Sequence, residues 1–153
     1  MKKKLHIRIV SVLLSAVLII ALSSFNKPVT DEMKFYALGN KTPDALTFNE
    51  LRAVLKGEKQ RWKDGTKITL ALMKSSTPVG SLVSKKVFFM TDEQLNKYFL
   101  TLVFQGKISA PVFFETESDL SNYISLHEGA IGIVGTEIKN KGKIILIDGK
   151  SNF

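Results

Sequence analysis

The segment TKITLALMKSSTPVGSLVSKKVFFM, residues 66–90, predicts a strand, a short polar hinge and a helix in immediate succession. Residues 68–73 form a short apolar run rich in β-forming side chains, and the polar residues 74–76 end it. Thr77 is a favourable N-cap residue, and Pro78 suits the first helical position, where a missing N–H costs nothing. The segment therefore predicts a helix N-terminus directly after a buried strand.

A hinge of this kind is a candidate anion site. It places backbone N–H groups and the positive end of the helix dipole at the carboxyl edge of a sheet. Small hydroxylic side chains and one cation accompany them in this sequence. The predicted ligand-binding residues are Lys74, Ser75, Ser76 and Thr77.

Residues 1–24 have the features of a cleavable signal peptide. A positive n-region precedes an uncharged apolar run, residues 9–22, and small residues follow it. We expect cleavage after Ser23 or Ser24 and export to the periplasm, so that the protein meets the membrane only through this signal. A retained anchor is the alternative, but a spanning helix needs about 20 apolar residues. The chain has no cysteine, which excludes disulfides, thiolate metal sites and lipoprotein attachment.

The charge balance argues against nucleic acid as a partner. Four of the 22 basic residues lie in the predicted signal, and their removal lowers the formal charge from +8 to +4. The rest of the chain has no dense basic run with interleaved aromatic residues. We expect residues 33–150 to form one domain, which is long enough to bury a core.

The remaining patterns predict an open mixed α/β sheet flanked by helices. T-x-x-E at Thr47 and T-x-x-Q at Thr91 are capping boxes that begin two helices, and a further helix covers residues 117–126. Further strands are predicted at residues 33–38, 112–114, 130–134 and 143–147, the last two connected by the polar loop 135–142. Right-handed crossovers then bring the helix starts at Thr47 and Thr77 to the carboxyl edge of the sheet.

The sequence offers little that is typical of an enzyme, and we expect no enzymatic activity. His127 beside Glu128 could be read as a base and its orienting group, but a histidine in the last turn of a helix usually serves packing and the dipole. One histidine after the signal and no cysteine predict no metal site, and no phosphate-binding glycine loop or other cofactor motif occurs. Trp62 is either a platform for a ligand or, as we favour, a lid on the edge of the core.

Several stretches in order resemble the phosphate-binding-protein family, the type II periplasmic substrate-binding proteins of phosphate ABC transporters. They are LTFNELRAVLKG at 46–57, WKDG at 62–65, FQG at 104–106 with Pro111, and EGAIGIV at 128–134. The similarity is to the second lobe of these proteins and to small stand-alone proteins made of little else. It implies a single-lobe domain of the periplasmic-binding-protein fold.

The resemblance also implies which residues form the site. In that family an arginine and then Ser-Gly-Thr follow the strand, and they hold phosphate at the helix N-terminus. Alignment through the helix places Thr77 at the serine, Pro78 at the glycine and Val79 at the threonine, with Lys74 near the arginine. A single lobe presents an open face, so tight binding of a small anion would need a partner or a second copy to cover it.

Two functions from different classes remain open at this point. The first is a secreted solute-binding-like module that binds phosphate or another small oxyanion for an ABC-type uptake system. The alternative is a ligand-free accessory or protein-interaction module of the cell envelope that keeps the binding-protein fold. A transporter would be the partner of the first, and another envelope protein that of the second.

Overall fold

A six-stranded mixed sheet organises the part of the chain that the computed structural model describes, residues 33–137 and 142–153. The predicted signal peptide and residues 138–141 of the predicted loop lie outside the described residues. Among the helices of the described part, none is long and apolar enough to cross a bilayer.

The strands and helices follow one another much as the patterns predict. The strands are β1 Tyr36–Gly39, β2 Ala45–Leu46, β3 Thr69–Met73, β4 Val112–Phe114, β5 Ala130–Val134 and β6 Lys143–Ile147. The helices are α1 Phe48–Leu55, α2 Pro78–Val83, α3 Asp92–Phe104 and α4 Glu117–Leu126. Among the described strands, the two-residue β2 is the one that no sequence pattern predicted.

The strand order is β2-β6-β1-β5-β3-β4. β1 runs antiparallel to both of its neighbours, and the other five strands share one direction. β5 and β6 follow each other in sequence, yet they are not adjacent, because β1 lies between them. Since β2 and β3 are parallel, the helices that follow them, α1 and α2, both begin at the carboxyl edge, as predicted.

Both predicted capping boxes are present. Thr47 accepts a hydrogen bond from the Glu50 N–H while the Glu50 carboxylate accepts from the Thr47 N–H, and Thr91 and Gln94 do the same at α3. The Glu50 carboxylate accepts hydrogen bonds from both the N–H and the hydroxyl of Thr47, and these hold the pKa of Glu50 below its usual value. Each box satisfies two N–H groups that the helix itself leaves without partners, so local sequence alone determines where these helices begin.

Helix α2 ends earlier than its apolar pattern suggests. It passes at Ser84 into a π-helical turn, Ser84–Phe88, which stops at Phe89 in the left-handed region. Ser84 is fully buried, and its hydroxyl donates to the Gly80 carbonyl 2.9 Å away. Such back-bonding from a serine bends helices, which accounts for the irregular turn.

The core lies between the sheet and the helices that cover its faces. At its centre Gly132 of β5 lets α4 approach, because a Cβ there would lie 2.4 Å from the Ala71 carbonyl oxygen and 3.1 Å from atoms of Leu120 and Ile124. Trp62 is only 4% exposed and its indole N–H donates to the Gly129 carbonyl. The expectation that Trp62 is a lid on the core, not a platform for a ligand, is confirmed.

Candidate functional site

The hinge between β3 and α2 is tightly hydrogen-bonded. The Thr77 N–H and the Thr77 hydroxyl both donate to the Lys74 carbonyl, at 2.9 and 2.7 Å. The same hydroxyl accepts from the Gly80 N–H at 3.1 Å, and Pro78 occupies the first helical position. The predicted cap is therefore confirmed, and the Thr77 hydroxyl already serves the helix.

Gly80 allows the hinge to lie against the first turn of α2. A Cβ at this position would lie 2.0 Å from the Lys74 carbonyl oxygen and 2.9 Å from that of Met73. Both are backbone atoms, which cannot turn aside as a flexible side chain can. The close contact sets the position of the hinge relative to the helix axis.

The hinge keeps a few donors for a ligand. Within residues 33–137 and 142–153, the hydroxyls of Ser75 and Ser76 have no hydrogen-bond partner; Ser75 is half-buried and Ser76 exposed. Pro78 has no N–H and Thr77 caps Gly80, so the backbone donor left in the first turn is Val79. Of the four described helices, α2 alone has no acidic residue in its first turn. Its positive dipole end is thus not neutralised by its own helix.

Lys74, the predicted cation, is paired with an internal carboxylate. β3 and β4 are parallel with Met73 opposite Phe114, and the Lys74 N–H donates to the Phe114 carbonyl at 2.8 Å. The next residues, Lys74 and Glu115, therefore face each other, with Lys74 Nζ 2.6 Å from Glu115 Oε1. The Lys74 ammonium lowers the pKa of Glu115, first through the hydrogen bond and then through its charge.

A second carboxylate occupies backbone donors at the same edge. Glu117 Oε2 accepts from the N–H groups of Gly135 and Thr136, at 3.0 and 2.9 Å, just beyond the end of β5. Gly135 also lies close to α2, since a Cβ there would be 2.9 Å from Val79 Cγ2. Neither glutamate is among the predicted site residues. The available signal was an acidic residue directly after the predicted strand 112–114, at the edge of the sheet where Lys74 lies.

The cavity that adjoins the hinge is small. A cavity of about 10 Å³ adjoins Ser75 and is lined by Leu72, Met73, Ser75, Gly80, Val83, Phe88, Leu95, Asn96, Phe113 and Ile133. A cavity of this size holds at most one water molecule. A ligand at the hinge would therefore bind on an open face, as the single-lobe interpretation implies.

His127 and Glu128 do not form a pair in the structure. The exposed His127 ring stacks on Tyr123 with the ring centroids 3.8 Å apart, and its Nδ1 lies 2.8 Å from the Tyr123 carbonyl. Glu128 instead pairs with Lys41 at 2.6 Å. The described residues contain no group of three or more histidine or acidic residues arranged to hold a metal ion.

Comparison with solved structures identifies the fold. The chain is similar to PstS from Borrelia burgdorferi (18% identity, TM-score 0.57, 76% of this chain and 48% of that one). It is also similar to an ABC-type phosphate transport receptor from Vibrio cholerae (13% identity, TM-score 0.57, 75% of this chain and 46% of that one). A third match, from Clostridium perfringens, was solved with bound phosphate and is provisionally assigned as a phosphate ABC transporter substrate-binding protein (12% identity, TM-score 0.60, 76% of this chain and 46% of that one).

No protein-family model matches the chain, and no curated protein matches its sequence. The likeness therefore establishes the fold, and the chain spans less than half the length of these structures. The predicted resemblance to phosphate-binding proteins and the predicted single-lobe α/β fold are confirmed at that level.

Proposed function

We propose that this protein, with the fold of part of the phosphate transport receptors, is an exported module that binds phosphate or another small oxyanion for an ABC-type uptake system. The observation that carries the proposal is the N-terminus of α2. It begins at the carboxyl edge of the sheet, beside a lysine and two unpaired serine hydroxyls, and its first turn contains no acidic residue. Helix N-termini of this kind favour anions.

Each predicted residue has a distinct role in this proposal. Lys74 supplies the full positive charge, Ser75 and Ser76 donate hydroxyl hydrogen bonds, and the Val79 N–H adds a backbone donor. Thr77 acts through its cap, because its hydroxyl holds the Gly80 N–H and fixes the first turn of the helix. Together these groups provide one charge and three further hydrogen-bond donors at the hinge.

The open face sets the expected affinity. Specific small-ligand sites bury most of the ligand surface, and the cavity beside Ser75 is too small to enclose an oxyanion. We therefore expect the isolated protein to bind the oxyanion weakly. A second protein surface that covers the hinge should tighten the binding. The membrane components of an uptake system would be that partner, and periplasmic export rests on the predicted signal peptide at residues 1–24.

Calorimetric titration of the purified protein with inorganic phosphate tests the proposal. We expect heat of binding in the millimolar range that is lost in Lys74→Ala and retained in Lys85→Ala, which removes an exposed lysine from the π-helical turn. Absence of heat from the wild-type protein at millimolar phosphate would contradict oxyanion binding. Equal binding by Lys74→Ala and the wild type would instead place the ligand elsewhere.

A further inference from the structure

A groove of about 340 Å³ lies near the amino end of β3, away from the hinge. Two connections form its walls: residues 57–61 and 67–68 between α1 and β3, and residues 106–110 between α3 and β4. We call it the basic groove. Its charged lining residues are Lys59, Arg61, Lys67 and Lys107.

The two walls of the basic groove are held together by specific contacts. Gly57 has a φ of +75°, and a Cβ there would lie 2.5 Å from Ile108 Cγ2, so the walls touch where only glycine fits. The Gln60 side-chain amide donates to the Lys107 carbonyl across the same junction. The groove is therefore a built feature of the fold and not a gap between two free loops.

None of the four cations of the basic groove lies within ion-pair distance of a carboxylate among the described residues. Every ion pair in that part of the chain involves another lysine: Lys41, Lys56, Lys74 or Lys143. The acidic residues nearest in sequence are engaged elsewhere, because Glu58 pairs with Lys56 and Asp64 accepts from the Thr66 N–H. The groove lining itself includes no aspartate or glutamate.

The backbone places two of these residues directly opposite each other, and the Arg61 guanidinium also donates to the Gly65 carbonyl at 2.8 Å. Arg61 and Lys67 are opposite each other in an isolated antiparallel bridge, so their side chains leave the same face. Like charges in directly opposite positions destabilise a β-bridge. Lys107 adds a third charge from the other wall, and the concave surface concentrates the resulting positive potential.

We propose that the basic groove is a second anion site, which takes a small anion carrying two or more adjacent negative groups, such as a polyphosphate or a polycarboxylate. Several cations on two walls match a multivalent anion better than a single charge. The groove volume lies at the lower end of the usual range for small-molecule sites. An anion bound there relieves the repulsion between Arg61 and Lys67 and links the two connections.

Trp62 provides a direct readout of this site. It is the single tryptophan of the chain, and Lys59 Nζ lies 5.9 Å from the centre of its ring. Titration of the purified protein with inorganic pyrophosphate, and separately with citrate, should change its emission saturably, with a matching heat in calorimetry. Affinity should fall as salt is added, since the contacts are between exposed charges. The affinities for pyrophosphate and citrate, compared with each other, show whether the groove prefers phosphate groups or carboxylate groups.

A pair of double variants makes the test specific. Lys67→Gln with Lys107→Gln should weaken binding of the preferred probe about tenfold, from the loss of two ion contacts. Lys85→Gln with Lys97→Gln removes the same charge from exposed positions elsewhere and should change nothing. The proposal is overturned if neither probe binds the wild type, or if both double variants weaken binding equally. Lys74→Ala should leave binding at the basic groove intact. A negative result at the groove is therefore distinguishable from a negative result for oxyanion binding at the hinge.

Discussion

Lys74 Nζ lies 2.6 Å from Glu115 Oε1, across the ends of two parallel strands that finish in register. The carboxylate thus occupies the position beside the ammonium group where the proposed oxyanion would bind. Lys74 is about half exposed and Glu115 largely exposed, with 46% and 71% of their side-chain surfaces accessible, so the pair is screened by water and contributes little stability. An incoming anion therefore competes with Glu115 at modest cost.

Glu115→Gln should strengthen phosphate binding at the hinge. The substitution removes the competing charge, and an exposed ion pair of this kind corresponds to a gain of about two- to fivefold. Calorimetry measures the change. Glu128→Gln is the matched control, because it removes another exposed pair with the same 2.6 Å separation, at Lys41. An unchanged or weaker affinity in Glu115→Gln alone would show that Lys74 does not contact the anion.

Acid pH should strengthen anion binding at the hinge in the same way as Glu115→Gln. Lys74 lowers the pKa of Glu115 below its usual value of 4.5, so the ion pair stabilises the fold above that value and is lost as the pH falls through the lowered pKa. A protonated Glu115 no longer competes for Lys74. The difference in sulfate affinity between wild type and Glu115→Gln should therefore narrow only as the pH falls below 4.5, through the lowered pKa of Glu115. A constant difference would contradict competition by Glu115.

Thr77→Ala should destabilise the protein by about 1 kcal/mol, because the Gly80 N–H loses its cap. Thr77→Ser keeps the hydroxyl and should remain within a few tenths of a kcal/mol of the wild type. Urea denaturation followed by circular dichroism measures both. Ser76→Ala, at an exposed hydroxyl one residue away, should not change stability. Equal stability of the alanine and serine variants at position 77 would show that the cap contributes nothing.

Gly80→Ala should also destabilise the protein, by about 1–3 kcal/mol, although alanine is the better helix former. The new methyl group would meet the Lys74 carbonyl oxygen at 2.0 Å, and the hinge would have to move away from α2. Thermal unfolding compares this variant with Lys85→Ala, where the side chain is exposed. Wild-type stability in Gly80→Ala would mean that the hinge is not held against the helix.

The sequence alone determined the local features of this protein. Thr77 and Pro78 set the start of α2, the capping boxes set α1 and α3, and apolar runs set the buried strands. These features depend on residues three or four positions apart, whose interactions exist in any fold that contains the segment. The order of motifs along the chain was also enough to indicate the fold that the solved structures confirm.

Only the tertiary structure decided what surrounds the hinge. Three features there join residues that are distant in sequence. They are the position of β1 between β5 and β6, the Lys74–Glu115 ion pair and the hydrogen bond that Glu117 accepts from the Gly135 N–H. The same holds for the basic groove, whose charges come from two separate connections. Periodicity and capping signals do not encode strand order. Because strand order determines which loops meet at each edge of the sheet, the partners of Lys74 depend on packing across the whole domain.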